Sequence, residues 1–375
     1  MRITAIIFTL VLQLSAAGAQ NAAVWIGMSA AKNEEREGIY RATLDLDTGK
    51  LSRPELAAAI KDPGFLALNP EGTRLYAVCK LANGDGGVAA FEVSADKQSL
   101  KLLNTEPTGG GDACHVATDR AGRLLFTAQY GGGGVSAFPL APDGRLRPHS
   151  DVIQHSGTGP NKVRQEGPHP HWVGTDKANR FLCVPDLGTD RVVVYEVDSK
   201  TGKLKPHGHG DCPAGSGPRH LVFHPNGRFA YVINELAITV TAFRYDPTTG
   251  KLSETQTIDS LPESERKVAA NSGSEIYIHP SGEFLYAATR GDDTISVFRV
   301  DSGTGKLTFV EREHVRGSHP RCFNLDPTGR WLLAAGRDSN TVSVFKIDPQ
   351  NGKLIYNQQV VNSPSPICVE MQLAP

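Results

Sequence analysis

The chain has 375 residues, 39% of them hydrophobic, and a formal net charge of -1. So even a balance provides no basic field for nucleic acid and no acidic tail, which excludes a generic polyelectrolyte partner. Six cysteines, none in a C-x-x-C pair, are too few for a disulfide-dense scaffold in so long a chain; most read as small buried hydrophobes in strands, with one bridge left open.

The N-terminus begins Met1-Arg2-Ile3, continues as an apolar run to Leu12 and ends in small residues at Ala17-Gly18-Ala19. A basic start, an apolar run too short to span a bilayer and an A-x-A site form the pattern of a secretory signal peptide. Residues 1–19 are therefore expected to be a signal peptide cleaved after Ala19, and residues 20–375 to form one domain. The mature product is expected to be exported, periplasmic or extracellular, because no other apolar stretch is long enough to cross a membrane.

From residue 48 onward a short phrase recurs: Thr48-Gly49-Lys50-Leu51, Asp143-Gly144-Arg145-Leu146, Thr201-Gly202-Lys203-Leu204, Thr249-Gly250-Lys251-Leu252, Gly305-Lys306-Leu307 and Gly352-Lys353-Leu354, with a degenerate copy ending at Leu100. Seven copies about fifty residues apart are an internal repeat. Each follows an alternating strand such as Arg191–Tyr195, Thr294–Phe298 or Thr341–Phe345. Farther upstream, turns such as His224-Pro225-Asn226-Gly227 and Asp326-Pro327-Thr328-Gly329 join two other apolar runs, which is a hairpin signal. The run after G-K-L supplies a fourth strand, so the unit is a propeller blade, and the predicted fold is an all-β, seven-bladed β-propeller. The tail Ser365–Met371 resembles a blade's opening strand with no blade after it, while the mature N-terminus lacks one. The C-terminal strand is thus expected to complete the first blade and close the ring.

Aligning the units on their turns places Gly64, Cys114, His171, Arg219, Ser274, Arg321 and Ile367 in one column at the start of the inner strands. The next column reads Phe65, His115, Trp172, His220, Glu275, Cys322, Cys368, and the column after the second strand includes Lys80, Tyr130, Leu187, Glu235, Arg290 and Arg337. Packing alone would repeat small or apolar residues, whereas these columns diverge into Arg, His and Glu. His171, Arg219, Glu235, Arg290, Arg321 and Arg337 are therefore expected to cluster at one mouth of the channel. Two long insertions, 153–168 and 261–271, fall on the same rim. Arginines fork onto carboxylate or phosphate oxygens, so the cluster describes a pocket for a small anion. The cation-rich columns do not suit a metal ion, and H-E-x-x-H, G-x-S-x-G, P-loop and dinucleotide signatures are absent from the sequence. No cofactor is expected.

The segments Gly157-Thr-Gly-Pro-Asn-Lys-Val-Arg-Gln-Glu-Gly-Pro-His-Pro-His-Trp172, Pro185-Asp186-Leu187-Gly188, Gly217-Pro218-Arg219-His220 and Phe229–Glu235 resemble the seven-bladed lactonase family. That family includes propeller-type bacterial 6-phosphogluconolactonases and fungal carboxy-muconate cyclizing enzymes. The resemblance implies a functional set falling on His171, Arg219, Glu235 and Arg290. The expected activity is hydrolysis of an anionic sugar-type lactone, with Glu235 or His171 handling the proton. Arg219, Arg290, Arg321, Arg337, His169, His220, Asp186 and Glu275 are the expected substrate-binding residues. A muconate-type cycloisomerase and a non-catalytic extracellular binding propeller are the alternatives. The expected partner is a small-molecule lactone, with no nucleic acid or membrane, and the oligomeric state is left open.

Overall fold

The alternating strands and tight turns fold into seven four-stranded antiparallel sheets around one axis. The structure, a computed structural model, describes residues 21–29 and 37–374, so the signal-peptide reading lies outside the described residues. In chain order, β1 (Asn21–Met28), β2 (Gly38–Asp45) and β3 (Glu55–Ala59) belong to the first blade. The second holds β4 (Leu66–Leu68), β5 (Arg74–Lys80), β6 (Gly86–Val93) and β7 (Leu100–Pro107), and the third β8 (His115–Thr118), β9 (Leu124–Gln129), β10 (Gly134–Pro139) and β11 (Asp151–Gln154). The fourth holds β12 (Gly174–Thr175), β13 (Phe181–Asp186), β14 (Arg191–Val197) and β15 (Leu204–Asp211), and the fifth β16 (Pro218–Phe223), β17 (Phe229–Asn234), β18 (Thr239–Asp246) and β19 (Lys251–Asp259). A short helix, α1 (Glu263–Arg266), precedes β20 (Ser272–Ile278), β21 (Phe284–Arg290), β22 (Thr294–Val300) and β23 (Leu307–His314) of the sixth. The seventh holds β24 (Pro320–Leu325), β25 (Trp331–Gly336), β26 (Thr341–Ile347) and β27 (Leu354–Asn362); β28 (Pro366–Leu373) follows.

β28 pairs antiparallel with β1, Ala22 opposite Leu373 and Trp25 opposite Glu370, and the first sheet runs β28-β1-β2-β3. The last strand therefore closes the ring, as the orphan tail implied. The second strands of the blades are buried along nearly their whole length, whereas outer strands such as β23 and β27 expose much of theirs. This is why the second strands read as continuous apolar runs and the outer ones do not. All six cysteines are free thiols, so the bridge left open by the sequence is not formed.

The repeated glycine of G-K-L is explained by the joints between blades. Gly305 sits at φ +74°, and a Cβ there would lie 2.4 Å from the Phe229 ring of the preceding blade. Its carbonyl also accepts the Tyr231 hydroxyl at 3.0 Å. Tyr76 makes the same bond to Gly144 and Tyr286 to Gly352. Trp331 of the seventh blade packs on Gly49 of the first and donates its indole N–H to Leu46 at 2.9 Å, so the joint recurs across the closure.

Gly305→Ala combines a left-handed backbone with a ring clash and is expected to cost about 2–4 kcal/mol. Gly303, with no positive φ and only Asp301 Oδ1 at 3.4 Å, provides the control; its alanine variant should stay within about 0.5 kcal/mol of wild type. Urea unfolding of both variants tests this, and equal losses would refute the joint.

Candidate active site

Three inner strands shift pairing register where the divergent columns fall: between Pro218 and His220, between Gly273 and Ile276, and between Pro320 and Cys322. A bulge removes a residue from the ladder and re-aims its side chain, here around the axis. Cys114, His171 and Arg321 of the first column line a cavity of about 440 Å³ together with Asp112, Tyr130, Arg164, Glu235 and Arg290. An adjoining cavity of about 320 Å³ shares Asp112, Cys114 and Arg321 and adds Lys80 and Arg337. Phe65, His115, Trp172 and Glu275 of the second column line a separate cavity of about 720 Å³ at the other mouth.

Glu235, just after β17 and 4% exposed, is the hub of the first cavity. Its Oε1 lies 2.5 Å from Arg164 Nη2, while its Oε2 lies 3.2 Å from Arg219 Nε and 2.9 Å from Arg290 Nη2. Burial alone would raise the carboxyl pKa, but Arg290, Arg219 and Arg164 overcome it and bring it down to about 2. Arg219 is 0% exposed. Burial, then repulsion from Arg321 and Arg290, lowers its pKa to about 9 despite Glu235. Its Nη1 donates to the Ser274 carbonyl, and Arg290 Nη2 donates to that of Gly273 at 2.9 Å.

Arg164 reaches Glu235 because the long insertion is folded back and tied down. The buried Gln165 amide donates to Leu187 O at 2.8 Å and Asp190 Oδ1 at 2.7 Å, and its oxygen accepts Asn161 N–H at 3.0 Å. Arg164 also donates to the Tyr130 hydroxyl at 3.1 Å.

His171 is 4% exposed, with Nδ1 3.8 Å from Cys114 Sγ. That sulfur lies 3.6 Å from the carbonyl oxygens of Pro170 and His171, either of which can accept its S–H. Burial, followed by repulsion from Arg219 and Arg321, holds His171 well below the ordinary imidazole pKa, so it is neutral. Arg321 has no hydrogen bond or ion pair to any described residue, and its charged form is disfavoured first by burial and then by Arg290, which Glu235 only partly offsets.

The remaining candidates are spread around this centre. His169 stacks on Tyr130 at 4.4 Å, with Nδ1 2.9 Å from Tyr130 O and Nε2 3.1 Å from Glu166. Asp186 is buried and anchors the insertion: its carboxylate meets His155 Nδ1 at 2.7 Å and accepts the N–H groups of His169 and Gly188 at 2.8 and 3.0 Å. Arg337 lines the adjoining cavity, paired with Asp338 at 2.6 Å. His220 and Glu275 pair at 2.7 Å deep in the channel, and Glu275 faces the far cavity rather than the arginines. Arg164, Tyr130, Cys114 and Asp112 were not singled out from sequence. Tyr130 and Cys114 stand in the aligned columns, and Arg164 in the quoted insertion motif, but neither column nor motif shows which side chains turn inward.

The family description "Lactonase, 7-bladed beta-propeller" matches residues 23–371. The chain belongs to the seven-bladed β-propeller lactonase family. A 6-phosphogluconolactonase of Bacillus subtilis is 39% identical over 291 residues, covering 77% of this chain and 81% of the relative. The periplasmic gluconolactonase of Pseudomonas aeruginosa superposes with a TM-score of 0.86 at 29% identity, covering 95% of this chain and all of that one (100%). A Lactobacillus plantarum protein superposes with a TM-score of 0.87 at 33% identity, covering 94% and 99%.

In this lactonase, three guanidiniums share one carboxylate, so Arg219 is a buried excess charge. Glu235 keeps Arg164 and Arg290 without it. Arg219→Met is therefore expected to leave stability unchanged or raise it by about 1–4 kcal/mol. A loss of several kcal/mol in chemical denaturation would show that the ion pair with Glu235 outweighs its desolvation.

Proposed function

We propose that the protein hydrolyses an anionic sugar-type lactone, with Arg321 holding the anionic substituent and His171 accepting the proton of the attacking water. That it is a lactonase follows from the family. The names of its B. subtilis and P. aeruginosa relatives share a gluconolactone-type substrate. The observation that carries the anionic part is Arg321, a guanidinium on the cavity wall that makes no ion pair with any described residue and feels only the field of Glu235, a carboxylate already shared by three other arginines. A buried cation left unpaired is costly, and a carboxylate or phosphate entering the cavity would offset that cost.

Of the two proton-handling candidates, Glu235 is the weaker base. Its pKa is near 2 and both of its oxygens are engaged by arginines. It holds Arg164 and Arg290 at the wall, and Arg219 acts on the substrate only through it. His171 is neutral and its ring faces the cavity. Cys114, whose S–H either carbonyl can accept, itself accepts the imidazole Nδ1–H and leaves Nε2 free for water. A bound anion offsets the charges of Arg219 and Arg321 that weaken His171, so substrate binding strengthens the base. Water adds to the carbonyl carbon as its proton passes to His171, and Arg290 stabilises the oxyanion. The acyl–oxygen bond then breaks, the ring oxygen takes up a proton, and the product acid ionises.

The basic, apolar and small-residue pattern of residues 1–19 and the periplasmic relative together support export and a role in extracytoplasmic carbohydrate metabolism.

Arg321→Ala should remove a charge-assisted contact worth about 1.5–3 kcal/mol. The expected result is a rise in KM of about ten- to a hundredfold for 6-phosphogluconolactone and little change for uncharged gluconolactone. Equal effects on both substrates would defeat the anion assignment.

The pH profile checks His171 separately. Because its pKa is lowered, the base stays unprotonated as pH falls past the ordinary histidine value. kcat/KM should therefore be flat between about pH 6 and 8 and fall only at more acid pH. An inflection near 6.5 absent from a His171→Gln variant would contradict this environment.

A further inference from the structure

We propose that the cavity at the opposite mouth of the channel is a second binding site, which takes a small organic ammonium ion. Its volume is about 720 Å³, and it faces away from the arginines around Glu235. Phe65, Trp172, Phe223 and Tyr277 supply aromatic faces, and Glu275 and Glu370 are its inner carboxyl groups, with Glu71 also on the lining. Glu275 is 2% exposed. Its Oε1 meets His220 Nδ1 at 2.7 Å and its own strand's Ile276 N–H at 3.0 Å, while Oε2 is buried without a partner. The Glu370 carboxyl and the Tyr277 hydroxyl, on half-buried residues, make no hydrogen bond or ion pair to any described residue. Glu275, Tyr277 and Glu370 thus converge from β20 and β28 on an aromatic chamber in which Glu275 Oε2 is buried and short of a hydrogen bond, and such a chamber is the usual form of a ligand site.

The charges around the carboxyl pair select the ligand. Burial pushes Glu275 up to about 7, with Arg219, the Ile276 N–H, the neighbouring Cys322 thiol and Arg321 only partly opposing it. Burial and then repulsion from Glu275 push Glu370 up to about 8. The neighbouring imidazoles of His115 and His220 are held neutral, His115 at about 3, by burial and Arg219. Buried Tyr277 and Cys322 stay protonated. On the rim, Lys97 is spent on the Gly72 carbonyl at 2.7 Å, and Arg120 lies at the outer edge. The floor therefore holds two acids whose ionised forms are disfavoured by burial near neutral pH. An ammonium ion would let them ionise and would also be drawn to the faces of Trp172, Phe223 and Tyr277. A neutral polyol offers neither gain, and an anion would be repelled.

The test is calorimetric titration of the whole protein with ethylammonium chloride at pH 7.5, using sorbitol and sodium acetate as neutral and anionic controls. The expected result is one saturable site for ethylammonium alone, with release of about one proton, read from the dependence of heat on buffer ionisation enthalpy. Intrinsic fluorescence gives a second readout without any variant. Trp25 and Trp331 are 0% and 3% exposed, whereas Trp172 is half-buried and faces this cavity, so its emission should follow the same isotherm. Glu370→Gln should weaken ethylammonium binding tenfold or more and leave the rate of lactone hydrolysis unchanged. Sorbitol binding as tightly as ethylammonium, binding without proton release, an unaltered isotherm in Glu370→Gln, or no saturation by either readout would each overturn the proposal. Lactone hydrolysis is measured independently in the same preparations, so failure here leaves the arginine cavity's assignment untouched.

Discussion

Seven sheets can surround one axis only if every blade meets the next at the same spacing, and that closure governs the rest of the molecule. It requires a residue without a side chain where the aromatic group of one blade docks on the turn of the next, as at Gly305 on Phe229 and Gly49 on Trp331. It also places the β28–β1 pairing within the first sheet, so that this blade, like the others, has four strands. Crowding is greatest at the axis, where β12 is reduced to Gly174–Thr175 and β4 to Leu66–Leu68. The inner positions are consequently where side chains from different blades are forced together, and where a site can be built without any one blade supplying more than a residue or two.

What the blades bring there is electrostatically expensive. Arg219, Arg290 and Arg164 converge on Glu235, and Arg321 stands beside them with no partner of its own. A cluster tuned for stability would match each guanidinium with a carboxylate. The imbalance lies in the first cavity, while the far cavity holds the opposite fault, two inner carboxyls without an ion pair to Lys or Arg among the described residues. Fold stability is traded for polarity along the channel, in the way functional sites generally trade it.

The sequence carried the architecture because a repeat is a linear property. The G-K-L period counted the blades, and the orphan tail identified the closing strand. Aligning the blades also brought out His171, Arg219, Glu235, Arg290 and Arg321, since blade-equivalent residues occupy equivalent places around the axis. Depth was not legible. Arg219 and Arg321 share a column, yet one is sealed behind Glu235 and the other opens on the cavity, because the neighbouring loops differ. Arg164 owes its place to a non-local anchor, Gln165 on Leu187 and Asp190, which no spacing encodes. His220 and Glu275 stand one residue along from Arg219 and Ser274, and a column alignment does not show that this step crosses from one chamber to the other.

That single step has a further consequence. His171 and Trp172, or Cys114 and His115, are neighbours in the chain, yet the first of each pair serves the arginine cavity and the second the aromatic one. The two chambers are therefore written in adjacent letters of the same inner segments. Point substitutions can alter one chamber and spare the other, so the two chemistries are free to diverge. A one-residue insertion or deletion at the head of an inner strand would instead exchange them, sending an acid or an aromatic ring among the guanidiniums and an arginine among the carboxyls. Lineages of this architecture should accordingly accept length changes in the rim loops and reject them at these bulged strand heads.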